Sequence, residues 1–320
     1  MRNAVLRSSF GVAFVALSLS CGGGAKQQEV VTPAVAPVVS VDAIEKDPAV
    51  LFPSSALAMF TVDAHAFYGS PTAGPQAARL AERYFPVGAE VGFSASRDLD
   101  RATSALYSTS GADALAILVG RFDEAKIGEA AKAKTATKAG VIVQSTYANR
   151  TLYTLSNVGF TVLSPHLVLA GTETSIRRAL DRLRDGKTTR DAPAWMLQTL
   201  GSPGAAAAAA VDLKAFPPNT FSGLPIKGMN GITALRLLGN FQPPGMHVAG
   251  SVTYVDAQHA KTGAEGLQSV LQSPLVGMTL GIQLRDVKVQ PAQSDAQVSF
   301  SLDDSSLQGI LSRLPSMLGG

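Results

Sequence analysis

The chain has 320 residues, 46% hydrophobic and 16% charged, with a formal net charge of +3 and a single cysteine, Cys21. One thiol excludes an internal disulfide, so cohesion has to come from a buried core, which this hydrophobic content is large enough to build. With Arg2 and Arg7 set aside, the 27 basic residues fall to within one of the 24 acidic ones, and nucleic acid is excluded as a partner on charge.

Residues 1–20 read as a signal peptide: a basic start, an apolar stretch from Phe10 to Leu19, then small residues. The apolar stretch is about half of the ~20 residues that a membrane-spanning helix needs. Leu17-Ser18-Leu19-Ser20-Cys21 resembles the lipobox of bacterial lipoprotein precursors, departing from the usual pattern at Ser18, where leucine is the commoner residue. The resemblance implies cleavage between Ser20 and Cys21, acylation of Cys21 with chains such as palmitate, and a membrane held through that lipidated cysteine. Two or more acyl chains make a lasting anchor where one does not. Gly22 is not acidic, which in the sorting rule of such lipoproteins implies the outer membrane of the cell envelope.

Residues 21–48 lack helical or strand periodicity and contain Pro33 and Pro37; they read as a flexible tether. Some 25 residues of this kind reach roughly 25–30 Å. The folded part then begins around Val50, and within it VDAHAF at 62–67 and VDLKAF at 211–216 share the pattern V-D-x-x-A-F. The order of elements repeats too. ALAILVGRF (114–122) reads as a strand and FDEAKIGEAAKAK (122–134) as a helix, matched by HVAGSVTYV (247–255) and DAQHAKTGAEGLQSVL (256–271).

GVIVQSTY, RTLYTL, VGFTVL and HLVLAG follow as short strands joined in hairpins, with Asn149-Arg150-Thr151 as a turn. Each half closes on a helix: Ile176, Ala179, Leu180 and Leu183 in one, Leu307, Ile310, Leu311 and Leu314 in the other, lie at i, i+3, i+4 and i+7 on a single face. Thr172 or Thr174 and Asp303 or Asp304 suit the amino-terminal caps, Gly186 suits a left-handed stop, and Pro315 should kink or shorten the last helix. DAPAWMLQTL (191–200), with the sole tryptophan, reads as a bridging helix.

Catalytic chemistry is hard to place. Gly186-Lys187-Thr188 ends like a phosphate loop, but Asp181 stands where the first glycine belongs and a helix precedes it. His65, His166, His247 and His259 are dispersed, so no metal spacing arises. Neither G-x-S-x-G nor Ser-x-x-Lys occurs. Asp98, Asp100, Asp303 and Asp304 read as turn and cap residues, and Asp63 and Asp212 as turn formers at strand ends. Lys126, Lys132, Lys134 and Lys138 fall on one helix, and Arg177, Arg178, Arg182, Arg184, Lys187 and Arg190 on or after another. Interspersed acids make these solvated faces rather than sites for anionic headgroups.

The expectation is an α+β fold of two related subdomains, residues 49–200 and 201–320, each an antiparallel sheet with amphipathic helices packed on one face. The alanine- and glycine-rich body resembles envelope lipoproteins of GC-rich bacteria, which implies no particular activity. Functionally, the sequence points to a non-enzymatic, membrane-anchored scaffold or binding module without a cofactor, its partner an envelope protein or a lipid. A carrier of acyl chains in an apolar pocket between sheet and helices is the alternative.

Overall fold

The computed structural model describes residues 39–71, 73–109, 113–156, 158–217, 230–243, 245–273 and 282–317, without the side chains of Tyr84 and of 313–317. Ser20, Cys21 and the lipobox lie outside the described residues.

Helix α1 (Val41–Lys46) begins at Ser40, whose hydroxyl accepts from the Ala43 amide at 3.3 Å. A 3-10 turn over Pro48–Leu51 follows. Ile44, Val50, Leu51 and Phe52 are all buried in one core. The body therefore starts near Ser40, and residues 40–48, expected to belong to a tether, are part of it. Ile44 is recruited by a core that is distant in sequence.

Strand β1 (Ala58–Asp63) leads to α2 (Ala64–Tyr68), α3 (Gly74–Tyr84), the short α4 (Ala95–Asp98), β2 (Leu99–Leu106) and β3 (Ala114–Gly120). Then come α5 (Glu124–Lys132), the two-residue strands β4 (Ala136–Thr137) and β5 (Gly140–Val141), and the meander β6 (Val143–Tyr147), β7 (Arg150–Leu155), β8 (Val158–Ser164) and β9 (Leu167–Gly171). Helices α6 (Glu173–Arg184) and α7 (Ala194–Leu200) end the first half. The second half holds β10 (Ala207–Asp212), β11 (Ile232–Gln242), β12 (Gly245–Tyr254), α8 (Ala257–Leu271), β13 (Leu284–Ala292), β14 (Asp295–Asp303) and α9 (Asp304–Met317).

The two halves are arms of one sheet. Twelve antiparallel strands run β13-β14-β12-β11-β10-β1-β2-β3-β9-β8-β7-β6, and residues 36–320 form one compact unit. Outward from the centre, β10-β11-β12-β14-β13 mirrors β1-β2-β3-β9-β8, and the β6–β7 hairpin is extra to the first arm. The repeats meet about a local two-fold: the spacing that relates Val62 to Val211 also relates Phe60 to Ala209, and those two residues face each other across the β1/β10 pairing. In both copies the repeated aspartate is a cap. Asp63 accepts from the Ala66 amide at 3.0 Å and Asp212 from the Lys214 amide at 3.1 Å.

Helices do not keep to one face, as the sequence reading had them. In the first arm Met59, Leu115, Ile117, Leu167 and Leu169 pack under α1, α6 and α7. The alternate positions Leu118, Phe160, Val162 and Val168 pack with Val91, Phe93 and Ile127 of the opposite layer. Strands covered on both sides carry apolar residues at both parities, and β8 and β9 do. In the second arm α8 and α9 lie on one face only, over Val252, Tyr254 and Ala296 and over Met246 and Leu302 respectively. The other face there is polar: Gln290 and Gln297 are exposed, Ser251 and Ser299 half-buried.

The closing helices carry the expected stripe. Ile176, Ala179 and Leu180 are buried, as are Leu307 and Leu311. Thr172 caps α6, accepting from the Ser175 amide at 3.4 Å, and Gly186 takes φ 69° just past its end. Helix α9 continues through Pro315 to Met317, so the expected shortening does not occur. The lysine-rich helix is shorter than its charge pattern suggested: α5 stops at Lys132, Lys134 has φ 53°, and Lys138 belongs to the β4–β5 turn.

Candidate functional site

Among the described residues, a cleft of about 1000 Å³ lies on the first arm, between the sheet and the layer formed by residues 83–98 and the start of α5. Its floor follows from how β3 alternates. Leu115 and Ile117, facing α6, are 0% and 2% exposed. Ala114 and Ala116, facing the other way, are half-buried and leave the space above them unfilled. Strand β9 does the same with Leu169 on one face and Ala170 on the other. Leu118, Phe160 and Val168 complete the floor.

The opposite wall is aromatic. Phe85 and Phe93 lie 5.1 Å apart, and Phe93 stacks on Phe122 at 5.6 Å, with Val87 and Val91 beside them. Tyr153 stacks behind Phe160 at 5.1 Å. Two glycines allow the backbone to close at the ends of β3. A Cβ on Gly120 would stand 2.1 Å from the Asp98 carbonyl oxygen, and one on Gly171, at φ 149°, 2.2 Å from that of Ala114.

Polar groups gather at the mouth. At the Gly120 end, Asp98 has a side chain only 8% exposed. It accepts from the Ser94 amide at 2.9 Å and from Arg97 Nε at 2.8 Å and Nη2 at 2.5 Å, while Arg121 Nε lies 3.6 Å away. The Arg97 hydrogen bonds outweigh burial and hold the Asp98 carboxyl below its ordinary range. His166 lines the same end, its Nδ1 3.2 Å from the Gly120 carbonyl oxygen. At the far end, Lys138 donates to the Glu82 carbonyl oxygen. Burial pushes the Glu82 carboxyl up, but hydrogen bonds from Ser94 and Ser96 prevail and it ends lowered.

A second, shallower concavity of about 670 Å³ lies on the polar face of the second arm, where Arg236 sits over the Trp195 ring at 5.1 Å.

The residues singled out in the sequence scatter. His65 pairs with Asp100 at 2.7 Å, His259 with Asp256 at 2.8 Å, and His247 lies 3.4 Å from Ser301 Oγ. Among the described residues no group of three or more His, Cys, Asp or Glu side chains could hold a metal ion. Gly186-Lys187-Thr188 is the stop of α6, with the Lys187 amide bonded to the Arg182 carbonyl.

The arginines on and after α6 are engaged within the protein: Arg177 with Glu173, Arg178 with Asp113 at 2.6 Å, Arg184 with Asp181 at 2.8 Å, and Arg190 with Asp47 at 2.7 Å. Arg182 departs from a solvated face altogether. It is 7% exposed, donating to the carbonyls of Val50 (2.9 Å) and Thr189 (2.6 Å) and to Asp191.

The apolar residues of the cleft were missed in the sequence, whereas Asp98, His166 and Lys138, named there for other reasons, line it. The signal of the apolar floor was the small–large alternation in ALAI and the Leu-Val-Leu-Ala order of β9, where one face is built for filling and the other is left low. The aromatic wall carried no such signal, because its three phenylalanines come from separate turns.

Among the described residues no helix is long and apolar enough to cross a membrane. No family profile matches the chain, and no curated protein does so. Solved structures of TP0453 share the fold. Crystal form III aligns with a TM-score of 0.55 at 11% identity, covering 83% of this chain and 98% of that one. Crystal form I gives 0.53 at 13% identity, covering 85% and 97%. At such identity the likeness is one of fold.

Proposed function

We propose that this protein is a non-enzymatic binding module of the cell envelope, anchored through acylated Cys21 and most of all an outer-membrane resident, whose cleft holds the acyl part of a lipid. The observation that carries this reading is the composition of the cleft. A floor of Ala114, Ala116, Ala170 and Leu118 faces a wall of three phenylalanines, and the charged groups stand at the mouth. Its volume is at the upper end of the ~300–1,000 Å³ of small-molecule sites, which are mostly apolar with few polar anchors. The mouth carboxylate Asp98 is tied up by two arginines, an arrangement suited to holding rather than to proton transfer.

A scaffold role has separate support in the polar face of the second arm beyond α7, around Arg236, Lys288 and Gln297, which leaves room for a protein partner.

The test is native mass spectrometry of the chain extracted from envelopes. A stoichiometric apolar ligand is expected, and it should be lost in Ala116→Phe, whose ring would occupy the floor. Repeatedly empty spectra for the unaltered chain would overturn the carrier reading and leave the scaffold.

A further inference from the structure

The cleft is not symmetric along its length, and this asymmetry bears on what it holds. Its floor follows β3 from Ala114 to Gly120, about 20 Å at ~3.3 Å per residue. At the Gly120 end two guanidiniums, Arg97 and Arg121, share one carboxylate. Asp98 is 8% exposed, whereas the arginine side chains are 64% and 56% exposed. One buried negative charge thus fixes two cations that still face water, so two guanidiniums stand together where the apolar floor stops. Arg121 is further fixed by donating to the Arg97 carbonyl oxygen, and Arg97 Nη2 donates to that of Gly92 at 2.9 Å. His166 stands on the same end.

Of the acids nearby, Asp123 lies 3.4 Å from Lys126 and Glu82 is taken by Ser94 and Ser96, while Glu124, at the start of α5, also lines the cleft. At the Ala114 end Lys138 already donates to the Glu82 carbonyl, and Arg83, next to Glu82, also lines the cleft.

Resting on the carrier reading of this cleft, we propose that its ligand is an anionic amphiphile, its carboxylate or phosphate seated between Arg97 and Arg121 and its acyl chain lying along β3 toward Ala114. Guanidinium is the group suited to such heads, because its planar donors match carboxylate and phosphate oxygens. The amphiphile enters chain-first into the aromatic wall, and the paired arginines set its polarity. Reversed, it would place its head beside Lys138 and Arg83, without the two guanidiniums that one carboxylate holds together.

The experiment displaces the neutral fluorophore N-phenyl-1-naphthylamine from the full chain with palmitate or with hexadecanol, which has the same length and no charge. Palmitate should compete at a concentration about tenfold lower, the effect of one charge-assisted hydrogen-bonded contact. The double variant Arg97→Gln/Arg121→Gln should bring that ratio near one while hexadecanol still displaces the dye. Arg97→Lys/Arg121→Lys should keep part of it, and Lys138→Gln should leave it unchanged. Dye binding by each variant reports that it has folded.

A palmitoyl lysophosphatidylglycerol arm separates a free acid from a phospholipid head, and preference for either over hexadecanol supports the proposal. Equal competition by palmitate and hexadecanol in the unaltered chain, or loss of the ratio in Lys138→Gln alone, overturns it while the carrier reading stands. Failure of the dye to bind, or binding unaffected by Ala116→Phe, removes the carrier reading and this proposal with it.

Discussion

Asp303 joins β14 to α9 and offers a quantitative test of how the second arm is held. Its carboxylate accepts from the Ser306 amide at 2.9 Å and the Ser305 hydroxyl at 2.8 Å, and Arg285 donates to its other oxygen at 2.9 Å. The side chain is 14% exposed, so water screens these contacts little. The Ser306 hydrogen bonds, first among several, hold its pKa down from 3.8 to about 2. At ~1.36 kcal/mol per pH unit this depression is worth about 2.5 kcal/mol of folding free energy.

The sign follows from linkage. Above about pH 5 the aspartate is ionised in both folded and unfolded chains and the stabilisation is complete. As pH falls below 3.8 the unfolded chain takes up the proton first and the stabilisation shrinks, about half of it being gone by pH 3. Asp303→Ala should therefore cost about 2 kcal/mol at pH 7 and about half that at pH 3. Asp303→Asn should cost less at pH 7, because an asparagine still caps the helix. Urea unfolding followed by the fluorescence of Trp195 at pH 7, 5 and 3 measures the differences. A gap between wild type and Asp303→Ala that is the same at pH 7 and pH 3 would refute the linkage.

Gly171→Ala should lower stability by more than about 2 kcal/mol in thermal unfolding, since φ 149° and the Ala114 carbonyl 2.2 Å away both reject a Cβ. Gly204→Ala, at φ 75° with open space around it, should cost about 1 kcal/mol and serves as the comparison. Arg182→Met should cost about 2–3 kcal/mol in urea unfolding, because it leaves the carbonyls of Val50 and Thr189 without their donor and Asp191 with the Thr189 hydroxyl but no cation. The Asp191 carboxyl, held low first by Arg182, should then titrate higher by NMR. Radiolabelled palmitate should be incorporated into the chain and not into Cys21→Ala, and equal labelling of the two would end the anchor proposal.

Much of the architecture could be read directly from residue order. Period-two runs such as RTLYTL and the i, i+3, i+4, i+7 stripes of α6 and α9 report local geometry, because burial on one side of a strand or helix imposes that period. The V-D-x-x-A-F pair likewise marked two equivalent strand-to-helix corners, each needing an aspartate cap. Strands β2 and β11 were harder to see. LDRATSAL and ITALRLLGNFQ mix polar and apolar residues because their two faces meet different layers.

The sequence by itself determined the antiparallel α+β class, the repeated order of elements and the amphipathic faces, since each depends on neighbours within a few residues. Only the tertiary structure decided that β1 pairs with β10 to make one sheet, that Ile44 and Phe52 belong to the body, and that Arg182 is buried. It also decided that small residues on β3 and β9 line up beneath Phe85, Phe93 and Phe122, with Arg97 and Arg121 meeting over Asp98 at one end. Those contacts join segments tens of residues apart, and a side chain carries no mark of a distant partner; packing and charge select it only once the chain has closed on itself.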